Sequence, residues 1–224
     1  MLRLGSLIIA LAAGGACVAQ PGAAVVAASP AADIAPDSVA ALHLMDVTRV
    51  EPSIVVEARY ATANNFTGAP LPGYEANRVL MRREAAGALG RAQRRALAEG
   101  YSLKLFDGYR PVRATLAMVD WTERTGRQDL IRDGYIAARS GHNLGLAIDL
   151  TLVTTRDGRE LAMGTPYDTF TEAAHTANAS GAVAANRATL VRLLAAEGFT
   201  NYDKEWWHFS YKVPDPLRFD IVIR

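Results

Sequence analysis

Two short stretches hold the residues most able to do chemistry in this chain. Ser140-Gly-His142-Asn-Leu-Gly145-Leu-Ala-Ile-Asp149 offers an imidazole and a carboxylate, and Glu205-Trp-Trp-His208 offers a second carboxylate and a second imidazole. Zinc favours nitrogen and oxygen ligands in tetrahedral geometry, and a catalytic zinc keeps one position open for water. His142, Asp149 and His208 supply such a set, two neutral ligands and one anionic. Glu205 stands beside a ligand without being needed as one, so it is free to take a proton from water and pass it to a leaving amine. Two indoles follow it directly, which points to a partly desolvated site where its pKa rises. Taken singly, each residue has an ordinary explanation. His142 caps a turn, Asp149 joins an ion pair, His208 is a satisfied strand histidine and Glu205 is a surface carboxylate. As a spaced set they favour one zinc ion per chain. His43 and His175 lack such company and read as structural or surface residues.

Arg110 follows a tight Asp107-Gly-Tyr turn and precedes Pro111. Its guanidinium can hold a developing oxyanion or a substrate carboxylate, or it can simply neutralise Asp107. Spacing alone leaves both open.

The elements that must position these groups are readable from periodicity. Leu146 to Val153 alternates, with Leu146, Ile148, Leu150 and Leu152 on one face and Ala147, Asp149 and Thr151 on the other. Trp206 to Val213 alternates too, with Trp207, Phe209, Tyr211 and Val213 together. Asp149 and His208 therefore lie on the more polar faces of two strands, and if those strands are neighbours the two side chains meet. Glu205 and His208 are an odd number of positions apart, which on a regular strand sends them to opposite faces. A bend at Glu205 is therefore expected. Ile54 to Tyr60 and Ser102 to Phe106 read as further strands. Arg82 to Glu99, with Leu89, Ala92, Ala96 and Leu97 near one face, Val112 to Arg124, and Asn186 to Glu197 read as helices, with Gly100 and Gly198 as stops. The fold class predicted is α+β, a central, mostly antiparallel sheet flanked by helices, with the zinc site on an open sheet face.

The chain has 224 residues, half of them apolar and about a fifth charged, and a formal net charge of +1. That is ordinary globular composition, with no global field to attract nucleic acid or an anionic membrane. No stretch in the body of the chain is apolar for long enough to span a bilayer. The N-terminus differs in kind. Met1-Leu-Arg3 is a short basic start, Leu7 to Ala13 is an apolar run, and small residues lead to Ala19. Residues 1–19 read as a secretory signal peptide, which places the mature protein across the inner membrane, in the periplasm. Acylation of Cys17 is the weaker alternative. Residues 20–41, rich in Ala, Pro, Gly and Val, read as a disordered linker, and residues 42–224 as the folded domain. Cys17 is the single cysteine, so the mature chain has no disulfide and no cysteine nucleophile.

Several ordered motifs carry a resemblance. They are Arg59-Tyr-Ala-Thr-Ala-Asn-Asn-Phe-Thr-Gly68, Phe106-Asp-Gly-Tyr-Arg-Pro111, Ser140-Gly-His142 through Leu152, Met163-Gly-Thr-Pro-Tyr-Asp168-Thr-Phe170, and Gly198 through Glu205-Trp-Trp-His208-Phe209. From about Tyr60 to Ser210 the chain resembles the zinc peptidases that cleave D-alanyl-D-alanine, specifically the D-Ala-D-Ala dipeptidases of the VanX type. The resemblance implies His142, Asp149 and His208 as zinc ligands, Glu205 as catalytic base and Arg110 as stabiliser of the tetrahedral intermediate. It also implies Tyr60, Ser140 and Asp168 as the lining of a dipeptide pocket, with Asp168 the partner of the substrate ammonium. The activity implied is hydrolysis of D-Ala-D-Ala to D-alanine. The alternatives are a D,D-carboxypeptidase acting on peptidoglycan stems, and a non-catalytic wall-binding module with structural zinc.

Overall fold

A computed structural model describes residues 33–224. The expected signal peptide, Cys17 and most of the expected linker lie outside the described residues. Regular structure is present before Leu42. Ile34 bridges to Arg218, and helix α1 (Asp37–His43) buries Ala40 completely. Pro36 precedes the helix and Asp37 stands in its first turn, which favours starting it there. The linker expectation is thus corrected for residues 33–41.

After α1 come β1 (Leu44–Asp46), α2 (Val47–Val50) and β2 (Val55–Val56). The strand expected over Ile54–Tyr60 shrinks to β2, because the chain turns away into a 3-10 turn at Arg59–Ala61 that buries Tyr60. Strand β3 (Leu80–Arg82) pairs antiparallel with β1 as a separate two-stranded ribbon. Helix α3 (Arg83–Ala98) follows, then β4 (Tyr101–Asp107), α4 (Val112–Thr125) and α5 (Asp129–Arg132). Strand β5 (Ala147–Thr154), helix α6 (Gly181–Ala195), β6 (Thr200–Asn201) and β7 (His208–Ser210) complete the domain.

The main sheet runs β2-β4-β5-β7-β6, parallel only between β2 and β4. The predicted mostly antiparallel α+β architecture is what forms. Helix α3 packs on β4 and against α6. Its buried stripe runs through Leu89 and the small residues Ala85, Ala88, Ala92 and Ala96, which let the helix approach the sheet closely, and leaves Leu97 outside at 38% exposed. Strand β7 is shorter than the alternation over Trp206–Val213 predicts. Its pairing ends at Ser210, after which the Tyr211 amide still donates to the Leu146 carbonyl at 2.7 Å.

The expectation that fails in kind is the open sheet face. Ala147, Asp149 and Thr151 are as buried as Ile148, Leu150 and Leu152. The turn carrying Tyr60 and the segment carrying Tyr167 lie over this face, and the Tyr167 hydroxyl donates to Asp149 Oδ2 at 2.9 Å. A carboxylate beside two imidazoles on an open sheet would be wet; here the covering aromatic rings keep it dry.

Gly145 sets the entry into β5. It closes the 3-10 turn Gly141–Leu144 with φ +65°, its carbonyl accepts from the Arg82 amide at 2.8 Å, and a Cβ there would stand 2.6 Å from Leu44 Cδ2. Gly100 has φ +83° but open space around it. Gly100→Ala is expected to cost about 1 kcal/mol for the left-handed backbone, and Gly145→Ala about 3 kcal/mol because overpacking adds to it. Urea unfolding midpoints compare the two; equal losses would remove the packing argument.

Candidate metal centre

The site begins with strand register. Asp149 on β5 sits directly opposite His208 on β7, flanked by Ile148 opposite Phe209. Phe209 and Ile148 are fully buried on the helix side, so the register that fills the core also delivers Asp149 and His208 to the other face. On the far side of β5, the register shifts between Leu105 and Asp107, so that Leu105 faces Leu150 while Asp107 faces Asp149. This bulge at Phe106 re-aims Asp107 into the site. His142 reaches over from the 3-10 turn before β5. Ser140 caps that turn by accepting from the His142 amide at 3.2 Å, and Asn143 Oδ1 accepts from the Ser140 amide.

The three expected ligands converge. His142 Nε2 is 3.2 Å from His208 Nδ1 and 3.4 Å from Asp149 Oδ2, and His208 Nδ1 is 2.9 Å from Asp149 Oδ1. Among the described residues they are the three-residue group able to hold an ion, all ligand atoms lying within 4.8 Å of one another. Ligand atoms about 2.0–2.2 Å from a tetrahedral zinc stand about 3.3–3.6 Å apart; the two distances from His142 Nε2 are close to this and the His208–Asp149 distance is shorter, so the donor set fits zinc in type and the three residues lie near the spacing it needs. The outer contacts fit as well. His142 Nδ1 lies 2.7 Å from the Gly108 carbonyl, a pure acceptor, so Nδ1 carries the hydrogen and the Nε2 lone pair faces inward. Burial would raise the Asp149 carboxyl, but His142 and His208 outweigh it and hold it far below the usual carboxylate range.

Glu205 lies at the predicted bend. Its amide donates to Tyr202 O and its carbonyl accepts from the His208 amide, a turn that folds its carboxylate back to 3.8 Å from His208 Nδ1. It is only 6% exposed. Burial, reinforced by the charge of Asp149, pushes its pKa well above the ordinary glutamate value, in the direction a proton-shuttling carboxylate needs.

For Arg110 one of the two open possibilities, the pair with Asp107, is what the structure shows. Asp107 accepts from Nε at 2.9 Å and pairs with Nη2 at 2.7 Å, so the ion pair exists. That grip holds the guanidinium over the Tyr60 ring, with Nη2 3.7 Å from Asp149 Oδ2 and Nη1 donating to Met118 Sδ at 3.3 Å, and Arg110 lines the cavity. The cavity, of about 210 Å³, is also lined by Tyr60, Ser140, Asp168, Glu205 and the three ligand residues. Asp168 takes the left-handed backbone (φ 59°), and both its oxygens lie within 3.3 Å of the Tyr60 hydroxyl. Burial and the Asp149 charge push its pKa well up. His43 and His175 stay apart from the centre; His43 stacks on Phe219, and His175 Nε2 meets the Tyr135 hydroxyl.

Two participants escaped sequence reasoning. Tyr167 donates to the Asp149 carboxylate, and Tyr74 donates to Asp107 at 2.5 Å. Neither sits in a periodic element, so no alternation marked them; the nearest signal was that Tyr167 adjoins Asp168.

Comparison with known proteins agrees with this geometry. Residues 40–217 match the M15 peptidase family model, described as D-Ala-D-Ala dipeptidase. A D-alanyl-D-alanine dipeptidase of Streptomyces coelicolor is 41% identical over 171 residues, covering 70% of this chain and 85% of the relative. Those of Enterococcus faecalis and Escherichia coli are 40% and 33% identical, covering 69% and 75% of this chain and 84% of each relative. The protein is a peptidase, and the chain belongs to the M15 family of D-Ala-D-Ala dipeptidases.

Proposed function

We propose that this protein is an exported zinc dipeptidase that hydrolyses free D-alanyl-D-alanine to D-alanine, holding one zinc through His142, Asp149 and His208. The observation that carries the proposal is the convergence of these three ligands on a small cavity whose wall also holds Glu205, Arg110 and Asp168. Zinc bound there would supply the positive charge that activates a water molecule and polarises the scissile carbonyl.

The chain's own residues do the rest. Glu205, raised in pKa by burial, takes the proton from the attacking water and returns it to the departing amine. Arg110, fixed by Asp107, directs its free donors at the negative charge that develops on the carbonyl oxygen. Asp168 and Tyr60 form a polar end suited to the substrate ammonium. A carboxylate so placed has no cationic partner when the amine is acylated, and about 210 Å³ leaves little room for a longer chain. This favours the dipeptidase over a D,D-carboxypeptidase, and the buried Glu205 and Arg110 favour an enzyme over a wall-binding module with structural zinc. The N-terminal pattern of residues 1–19 supports export to the periplasm, with lipidation at Cys17 the lesser alternative. There the enzyme would act on dipeptide released from wall fragments.

Glu205→Gln is expected to keep one zinc per chain and lower kcat by about 10³-fold, within the range for a lost general base. His208→Ala is expected to lose both zinc and turnover. Metal analysis beside a D-alanine release assay separates them; full turnover by Glu205→Gln would remove the assigned base. A chelator should abolish activity and zinc should restore it. Free D-Ala-D-Ala should be cleaved at least about 10²-fold more efficiently than its N-acetyl derivative, about the cost of one unpaired buried charge. Equal rates would favour the carboxypeptidase.

A further inference from the structure

One hydroxyl in the covered face has no part in the mechanism above. Tyr167 OH lies 2.9 Å from Asp149 Oδ2 and 3.0 Å from Tyr60 OH, and Tyr60 OH lies 3.1 Å from Asp168 Oδ1. Four side chains from three separate segments thus form an unbroken polar row. It runs from a ligand carboxylate at one end to the pocket carboxylate at the other. We propose that Tyr167 is a positioning residue that couples ion binding at His142, Asp149 and His208 to ammonium binding at Asp168. The coupling rests on the zinc dipeptidase function proposed above.

The hydrogen count argues for coupling. The row has three contacts, and its two hydroxyls bring only two hydrogens. Whichever group Tyr60 donates to, Asp168 or Tyr167, alters what the other contact requires. A cation arriving at Asp168 satisfies that carboxylate and frees the Tyr60 hydrogen for Tyr167, which strengthens donation from Tyr167 to Asp149. Hydrogen bonds in a dry row polarise one another in this way.

The local fold keeps the row in place. The Tyr167 ring is wedged between Phe106 and Trp207, with centroids 4.8 and 5.5 Å away, so the hydroxyl has little freedom. Successive residues of an extended segment point to opposite sides, yet Tyr167 and Asp168 both turn into the site. The left-handed backbone at Asp168 allows this, a conformation uncommon outside glycine that is retained where the surroundings enforce it. The segment is further clamped by Arg187. This buried arginine donates to the carbonyls of Met163, Ala173 and His175 on either side of Tyr167.

Tyr167→Phe keeps the ring and removes the hydroxyl. Zinc affinity, measured by competition with a chromophoric chelator, is expected to fall about 10-fold, the low end for loss of an outer contact to a ligand. Asp168→Asn should shift zinc affinity several-fold in the wild-type background and leave it unchanged in the Tyr167→Phe background. Unaltered zinc affinity in Tyr167→Phe, or effects of the two substitutions that simply multiply, would overturn the coupling while leaving the dipeptidase function intact. Failure of the wild-type protein to bind zinc would overturn both.

Discussion

The pairing of Asp149 with His208 across two antiparallel strands is the constraint on which the site depends. Directly opposed residues place their side chains within contact distance without any loop to adjust them. A slip of one residue would turn Asp149 into the apolar layer and bring Ile148 to the site. The slip is prevented on the opposite face, where Ile148, Leu150, Leu152 and Phe209 fill the space against the helices. Core packing and ligand placement are thus one register read from two sides. The bulge at Phe106 extends the arrangement to β4, turning Asp107 towards Asp149 and bringing Arg110 with it.

Charge explains why so many polar groups gather in a covered site. Asp107, Asp149, Asp168 and Glu205 surround one guanidinium and two imidazoles. Burial pushes the pKa values of Asp107, Asp168 and Glu205 up, while the two histidines hold that of Asp149 down. Enclosed carboxylates are costly unless paired. Arg110 pairs with Asp107, and the two imidazoles contact Asp149. The Asp149–Tyr167–Tyr60–Asp168 row links two of these carboxylates through hydroxyl groups.

Alternation in β5 and in the stretch around His208 predicts that Asp149 and His208 meet if the two strands are neighbours, and the odd spacing of Glu205 and His208 predicts the bend if both serve one site. Both follow from the two-residue period of a strand, which is a local property. The cover over Asp149 was not legible, because it comes from irregular segments with no period, and their approach is decided by aromatic packing among Tyr60, Phe106, Tyr167 and Trp207. The bulge at Phe106 was hidden for a related reason, since one extra residue in a strand leaves the composition unchanged. The regular structure before Leu42 escaped because α1 is short and its anchoring contact, Ile34 to Arg218, spans nearly the whole domain. Arg110 shows the limit of choosing between two roles by spacing; the ion pair with Asp107 is what aims the guanidinium.

The most direct test of the centre is zinc-edge X-ray absorption on the metal-loaded protein. Two imidazoles and oxygen donors at about 2.0–2.2 Å, with one zinc per chain, are expected from His142, Asp149 and His208. The spectrum of Asp149→Ala should lose an oxygen donor, and His208→Ala should retain no zinc in this shell. A shell with no imidazole, or one left unaltered by both substitutions, would contradict a zinc centre at this place.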